Sequence, residues 1–214
     1  MSRITDLACA TRPTPRILQF GGGNFLRGFM DWKIDRMNDA GGSDWGVVIL
    51  RSLGPTKGSA LNRQDGLYTV LSRGLDSTGQ AVSRSRRIGC VRGELSCQTD
   101  WARVLDLACH PDITVILSNT TESGIVHDPD ARLADAPAAS FPAKLTQLLH
   151  HRWHGLGGGA GTGWQIIACD LIDRGGDRLA EFCATMRPTG IWAGISWSGW
   201  TERYLATTRW STAS

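Results

Sequence analysis

Residues 21–28 read Gly21-Gly22-Gly23-Asn24-Phe25-Leu26-Arg27-Gly28, directly after the apolar run Arg16-Ile-Leu-Gln-Phe20 and before a segment with helical spacing. Glycines between a strand and a helix suit the binding of an anion. The chain can turn tightly, backbone N–H groups can approach a phosphate, and the positive end of the helix faces it. On this reading Gly21 makes the turn, Gly23 admits backbone N–H groups to a pyrophosphate, and Gly28 lets the helix pack on a sheet. Asn24 caps the helix, and Arg27 adds a cation for a phosphate. The spacing is G-x-G-x-x-x-x-G, one residue pair longer than the dinucleotide fingerprint, so context strengthens the pattern more than the glycines do. The bland alternative is a structural strand-to-helix turn.

A second glycine-rich stretch, 155–163 (GLGGGAGTG), follows a helical segment and precedes an apolar run. No helix N-terminus faces it, and it reads as a flexible loop. Many dinucleotide sites place an acid at the end of the second strand for the ribose 2′-hydroxyl; here that position is Arg51, followed by Ser52 and Lys57. Taken alone, a cation there suits a 2′-phosphate. His150 and His154 stand one helical turn apart beside His151, yet zinc would need further ligands; cations at a helix C-terminus are the simpler reading, and no metal is assigned. His110 and His127 fall at a helix end and in a loop. The sequence contains no Gly-x-Ser-x-Gly elbow, no Walker loop and no His-Glu-x-x-His.

These residues need elements to hold them. The first run is a buried strand, Asn24 to about Asp39 a helix with Phe25, Phe29, Trp32 and Met37 on its inner face, and Trp45–Leu50 the next buried strand. Residues 54–65 read as a polar loop. Leu67–Leu71 and Arg86–Val91 have strand character around a turn at Asp76–Gly79. A helix from Thr99 or Asp100 to Cys109 precedes a strand at Ile113–Leu117. Residues 127–140 form a loop, a helix with Pro142 in its first turn runs to about Arg152, and Trp164–Cys169 is a further strand. Strands alternating with helices predict an α/β fold, a doubly wound and largely parallel sheet.

Composition narrows the function classes. Of 214 residues 41% are hydrophobic and 20% charged, enough for a core, and a net charge of +3 is too small for a nucleic-acid platform. No run approaches the roughly 20 apolar residues of a membrane span, and the N-terminus lacks the apolar core of a signal peptide. The six cysteines show no CxxC spacing, which predicts reduced, mostly buried thiols in a cytoplasmic protein.

Several segments together resemble a known family. ILQFGGGNFLRGFMDWKID (17–35), QDGLYTVLSRGL (64–75), SNTTESGI (118–125), FPAKLTQLL (141–149) and IIACDLIDRGGDRL (166–179) are similar to the tagaturonate reductases (altronate oxidoreductases), a branch of the mannitol dehydrogenase family of long-chain polyol oxidoreductases. Leu26 stands where mannitol dehydrogenases carry His, which favours the hexuronate branch; Asp170 stands where Glu is expected. The resemblance implies a Rossmann-type domain over residues 1–181. It implies NAD bound by Ile17, Leu18, Gln19, Phe20, Gly21, Gly22, Gly23, Asn24, Phe25, Leu26, Arg27 and Gly28. It also sets Ser118, Asn119 and Thr120 beside the cofactor, and its use of NAD overrules the hint from Arg51. The implied reaction is hydride transfer between NADH and the keto group of D-tagaturonate, a small sugar acid, giving D-altronate. Fructuronate or mannitol as substrate, or a non-catalytic NAD-binding module, stay open as alternatives. The implied catalytic motif, K-x-x-x-x-x-N-x-x-H, belongs to a C-terminal helical domain and begins at none of Lys33, Lys57 or Lys144. No catalytic residue is assigned, and the chain is expected to be truncated and inactive.

The resemblance stops near Glu181. Residues 182–214 show no clean period and hold four of the nine tryptophans, Trp192, Trp197, Trp200 and Trp210. Read in a frame displaced by one base, they permit V-L-R, W-L-D and L-V-D-R-I in the family's order. A frameshifted, poorly ordered tail is therefore expected, and DNA downstream of Ser214 encoding no catalytic domain in any frame would refute it.

Overall fold

Apolar side chains on both faces of Ile17–Phe20 need cover from two sides, and this run becomes the buried centre of a sheet. The computed structural model describes residues 12–56, 59–120, 124–126, 128–158, 161–169, 175–185 and 205–207. In chain order the elements are β1 (Pro15–Phe20), a π-helical turn (Leu26–Met30) leading into α1 (Asp31–Asp39), β2 (Gly46–Arg51), α2 (Ala60–Arg63), β3 (Tyr68–Leu75), β4 (Ala81–Ile88) and β5 (Val91–Ser96). Then come α3 (Trp101–Ala108), β6 (Val115–Ser118), α4 (Phe141–Gly155), β7 (Trp164–Ala168), α5 (Gly175–Thr185) and β8 (Leu205–Thr207).

Six strands form one sheet in the order β5-β2-β1-β6-β7-β8, every neighbouring pair parallel. Counting only these strands along the chain gives 3-2-1-4-5-6, the order of doubly wound dinucleotide-binding sheets. The α/β expectation is met. Phe20 pairs with Leu50 on one side and Ser118 on the other, so three strands end at one level.

Alternation along the strands feeds two cores. Leu18, Phe20, Val48, Leu50, Ile116 and Ile166 face α3, α4 and α5, where Phe20 meets Phe141 at 4.8 Å between ring centres. Ile17, Val47, Ile49, Val115 and Leu117 face the other way, with Ile34 of α1 and Ile88 of β4. Ser140 starts α4 by accepting from the Ala143 N–H at 3.3 Å, with Pro142 in the first turn.

Several local expectations are corrected. The helix after the glycine turn does not bury Phe25, Phe29 and Met37, which are 47%, 41% and 47% exposed; its buried residues are Leu26, Asp31, Ile34 and Asp35. The wider π turn at Leu26–Met30 rotates the face that an unbroken α period predicts. Arg86–Val91 is likewise not one strand. β3 and β4 form a separate antiparallel hairpin, while β5 joins the main sheet. The break falls at Gly89 and Cys90, whose N–H groups both donate to Asp35 Oδ1, at 2.7 and 3.1 Å. Within the loop expected at 54–65, Ser59 caps the short α2, its side chain accepting from the Asn62 N–H. Helix α5 continues to Thr185, past the boundary expected at 181, and Leu205–Thr207 pairs with Trp164–Ile166. Residues 186–204 and 208–214 of the expected tail lie outside the described residues, as do Lys57, His127 and Asp170.

Candidate functional site

From β1 the sheet continues outward through β2, and from β6 it continues the other way through β7. Between β1 and β6 their C-terminal ends therefore leave a crevice, where ligands of such sheets bind. Gly21 opens the loop at φ +102°, a conformation that favours glycine, and its N–H donates to Leu50 O at 3.0 Å. A Cβ on Gly21 would lie 3.6 Å from Asn119 O, so the ends of β1 and β6 touch here. A Cβ on Gly22 would press on Ile49 Cγ2 at 3.4 Å, whereas one on Gly23 would meet nothing within 4 Å. The Arg27 N–H bonds to Gly23 O at 3.1 Å, starting the helix directly from the third glycine. The first helical turn thus points its N-terminal end at the crevice.

The residues named from sequence take different places around the turn. Ile17, Leu18, Gln19, Phe20 and Leu26 are at most 1% exposed and support the turn from below. Gly21 and Gly22 are half-buried, while Gly23, Asn24, Phe25 and Gly28 form its exposed rim. Gly28 does not serve helix packing; a Cβ there would meet nothing within 4 Å. Asn24 makes no side-chain bond to the helix backbone. Its Oδ1 instead accepts from the Arg27 guanidinium at 3.1 Å, and that guanidinium also lies 5.9 Å from the Tyr68 ring centre. Arg27 is tied down by both neighbours. On the β6 side Ser118 is buried, and its carbonyl accepts from the Cys169 N–H at 2.8 Å. Asn119 Nδ2 donates to Cys169 O at 2.6 Å, and Thr120 packs so closely on Gly124 that a Cβ there would sit 2.7 Å from its own. Arg51, at the end of β2, faces Glu94 of β5, its Nε 3.7 Å from the carboxylate.

A polar cluster beneath the turn escaped the sequence reading. Asp31 is fully buried, and its Oδ2 accepts from the Tyr68 hydroxyl at 2.9 Å; Arg27 O lies at the same distance from that hydroxyl. Gln19 Nε2 donates to Gly21 O at 3.1 Å, and its amide lies beside the Asp31 carboxyl. Asp31 Oδ1 and Gln19 Oε1 are buried acceptors without a hydrogen-bonding partner among the described residues. Burial pushes the Asp31 carboxyl up to about 7, against the opposing effects of Tyr68, Gln19 and Arg27. Burial and the nearby Asp31 push the Tyr68 hydroxyl up as well. One signal was legible: Asp31, Ile34 and Asp35 share the i, i+3, i+4 spacing of one helix face.

Residues 15–195 match the model of the mannitol dehydrogenase Rossmann domain. The chain belongs to the mannitol dehydrogenase family. It is 46% identical over 178 residues to altronate oxidoreductase of Enterobacter sp. (strain 638), covering 83% of this chain and 36% of that one. Altronate oxidoreductase of Klebsiella pneumoniae subsp. pneumoniae is 46% identical over 164 residues, 77% of this chain and 34% of that one. The chain therefore spans about a third of the length of these curated relatives. Among solved structures, Pseudomonas fluorescens mannitol 2-dehydrogenase, a ternary complex with NAD and D-mannitol, superposes with a TM-score of 0.71 at 19% identity, covering 91% of this chain and 40% of that one. A substrate-free D-sorbitol dehydrogenase gives 0.66 at 21% identity, covering 89% and 40%. These two likenesses concern the fold.

Within this mannitol dehydrogenase Rossmann domain, the other chemistry-bearing residues have structural work. Gly157 and Gly158 end α4: the Gly158 N–H donates to Trp153 O at 2.9 Å, and a Cβ on Gly158 would strike the Trp153 ring at 2.6 Å. Lys144 is buried in α4, where its ammonium donates to Ala139 O, and burial lowers its pKa. His150 and His154 stand with their Nε2 atoms 3.1 Å apart on the surface of α4, and no group of three or more metal-binding side chains forms among the described residues. Cys90, Cys97, Cys109, Cys169 and Cys183 are not joined in disulfides, and the first two and the last of them are buried. Among the described residues no helix is long and apolar enough to cross a membrane.

Proposed function

We propose that this chain is the NAD(H)-binding part of an altronate oxidoreductase-type enzyme, which interconverts tagaturonate and altronate. One observation carries the reading: the 3-2-1-4-5-6 sheet brings the Gly21–Gly23 turn and Ser118–Thr120 to a single crevice at a helix N-terminus. The residues present fit a dinucleotide. Gly23 leaves its Cβ direction open, so a pyrophosphate can come against the backbone, and no acid stands on the exposed rim of residues 23–28. NAD(H), when bound, supplies the hydride chemistry. The protein's own residues orient it: Gly21 aims the helix end, Gln19 fixes the Gly21 carbonyl from below, and Asn119 ties the β6 end to Cys169. The proton-transferring Lys/Asn/His set implied by the family resemblance has no counterpart in these 214 residues. The proposal for turnover therefore attaches to a protein of the relatives' full length.

Calorimetry with NADH tests the binding reading, and NADH oxidation with tagaturonate tests the catalytic one. The 214-residue chain is expected to bind NADH without turnover. Gly23→Ala is expected to keep the wild-type melting temperature, because its Cβ meets no protein atom, and to weaken NADH at least about tenfold through steric contact with the pyrophosphate. Unchanged NADH affinity in Gly23→Ala would remove the glycine turn from the site.

A further inference from the structure

Arg51 stands where dinucleotide sheets often place an acid for the adenosine ribose, and the structure shows where a carboxylate comes from instead. Glu94 lies on β5, the next strand out, in register with Ile49, so both side chains rise on the same face of the sheet. Ile49 packs under Gly22, and Glu94 Oε1 lies 3.8 Å from the point a Cβ on Gly22 would occupy. The acid therefore reaches the glycine turn from a neighbouring strand. It is also held from several sides. Ser59 Oγ donates to Glu94 Oε2, Arg51 Nε lies 3.7 Å from Oε1, and the Asn62 side chain pairs with the Glu94 backbone, donating to its carbonyl at 2.9 Å and accepting from its N–H at 2.8 Å. Gly93 before it, at φ +143°, leaves room for Asn62 Oδ1, which a Cβ would meet at 3.3 Å. The Glu94 side chain is 11% exposed and that of Arg51 42%. The carboxylate is the buried, hydrogen-bonded partner and the guanidinium the more exposed one.

We propose that Glu94 is the residue that makes this site select a dinucleotide with a free ribose 2′-hydroxyl over one with a 2′-phosphate. The inference rests on the dinucleotide reading above. A carboxylate at this place does two things. It offers an acceptor to a ribose hydroxyl, and it neutralises Arg51 at the end of β2, which would otherwise attract a 2′-phosphate. A 2′-phosphate on a ribose placed beside Glu94 would meet that negative charge, whereas the pyrophosphate lies further along the turn, at Gly23 and the helix N-terminus. The β2-terminal arginine, which on sequence grounds alone points to NADP, is thereby reversed in effect by its neighbour on β5.

The test is titration of the full 214-residue chain with NADH and with NADPH, for wild type, Glu94→Gln and Ser59→Ala. Wild type is expected to prefer NADH by about a hundredfold or more. Glu94→Gln, which keeps the size of the side chain and can still accept from Ser59, is expected to shrink that ratio at least about tenfold, with NADPH gaining and NADH losing. Ser59→Ala frees the carboxylate without removing it and is expected to shift the ratio less, in the same direction. It also keeps the idea testable should Glu94→Gln fold poorly. A ratio unchanged in both variants, or a wild type that prefers NADPH, overturns the role of Glu94 while leaving dinucleotide binding intact. A wild type that binds neither nucleotide overturns the dinucleotide reading itself, and this inference with it.

Discussion

The fully buried Asp31 carboxyl accepts from Tyr68 on one oxygen and finds no donor for the other among the described residues. Its pKa near 7 follows chiefly from that burial. The folded chain thus keeps a proton that the unfolded chain releases near 4. Between those values folding binds the extra proton, so this contribution to stability is fully present below about pH 4. It falls as pH rises towards 7 and stays low above it. Asp31→Asn is nearly isosteric: its amide oxygen can still accept from Tyr68, and its NH2 supplies the donor that Gln19 Oε1 lacks. The variant is expected to be more stable than wild type at pH 8, by about 2–4 kcal/mol, with little or no gain at pH 4. Urea denaturation at the two pH values decides it. Equal loss of stability at both would mean that the carboxyl itself, ionised or not, holds the cluster together.

At the scale of elements, Asp35 of α1 does what no local pattern announces. Its Oδ1 accepts from the Gly89 and Cys90 N–H groups where β4 breaks from β5, while Oδ2 takes the Arg86 guanidinium at 2.7 Å. One carboxylate therefore fixes where the hairpin ends and holds it to the helix. Asp35→Ala leaves two backbone donors and a half-buried arginine without that acceptor, and is expected to cost about 3–5 kcal/mol. Limited proteolysis should then cut first within β3 and β4; cleavage elsewhere would show that the hairpin is anchored by other contacts. This contact also explains what the sequence could not disclose. Buried strands and the glycine turn were legible because composition and neighbours determine them locally. The split at Gly89 was not, because its cause sits more than fifty residues earlier in the chain. The inward face of the first helix was misread for a related reason: the π turn at Leu26–Met30 changes the phase, and no residue type marks a π turn. At the proposed site, Gly21 and the β6 end are candidates that the sequence itself offers, while Glu94 is not, since only the pairing of β5 with β2 brings it near Gly22.

For the molecule as a whole, the sheet and the hairpin should differ in how readily they open. β1, β2 and β6 are each paired on both sides and buried between two layers, so their amides are released only by global unfolding. Among the described residues the hairpin pairs only with itself, and along Leu71–Leu75 its residues are exposed, Leu71 at 52% and Leu75 at 73%. A two-stranded ribbon of this kind is marginal by itself, and among the described residues no layer covers its far end. Hydrogen exchange is therefore expected to be slowest at Leu18, Phe20, Val48, Leu50 and Ile116, and fast from Ser72 to Arg84. Dinucleotide binding adds a separate expectation, because a ligand slows exchange only where it suppresses opening of the segments it holds. With saturating NADH, residues 21–27 and 118–120 should gain protection together, since the proposed crevice joins them, while Ser72–Arg84 should exchange as before. Protection confined to the glycine turn would place the ligand on the helix end alone and take β6 out of the site. Protection of the hairpin would place the ligand on the other side of α1, away from the strand ends altogether.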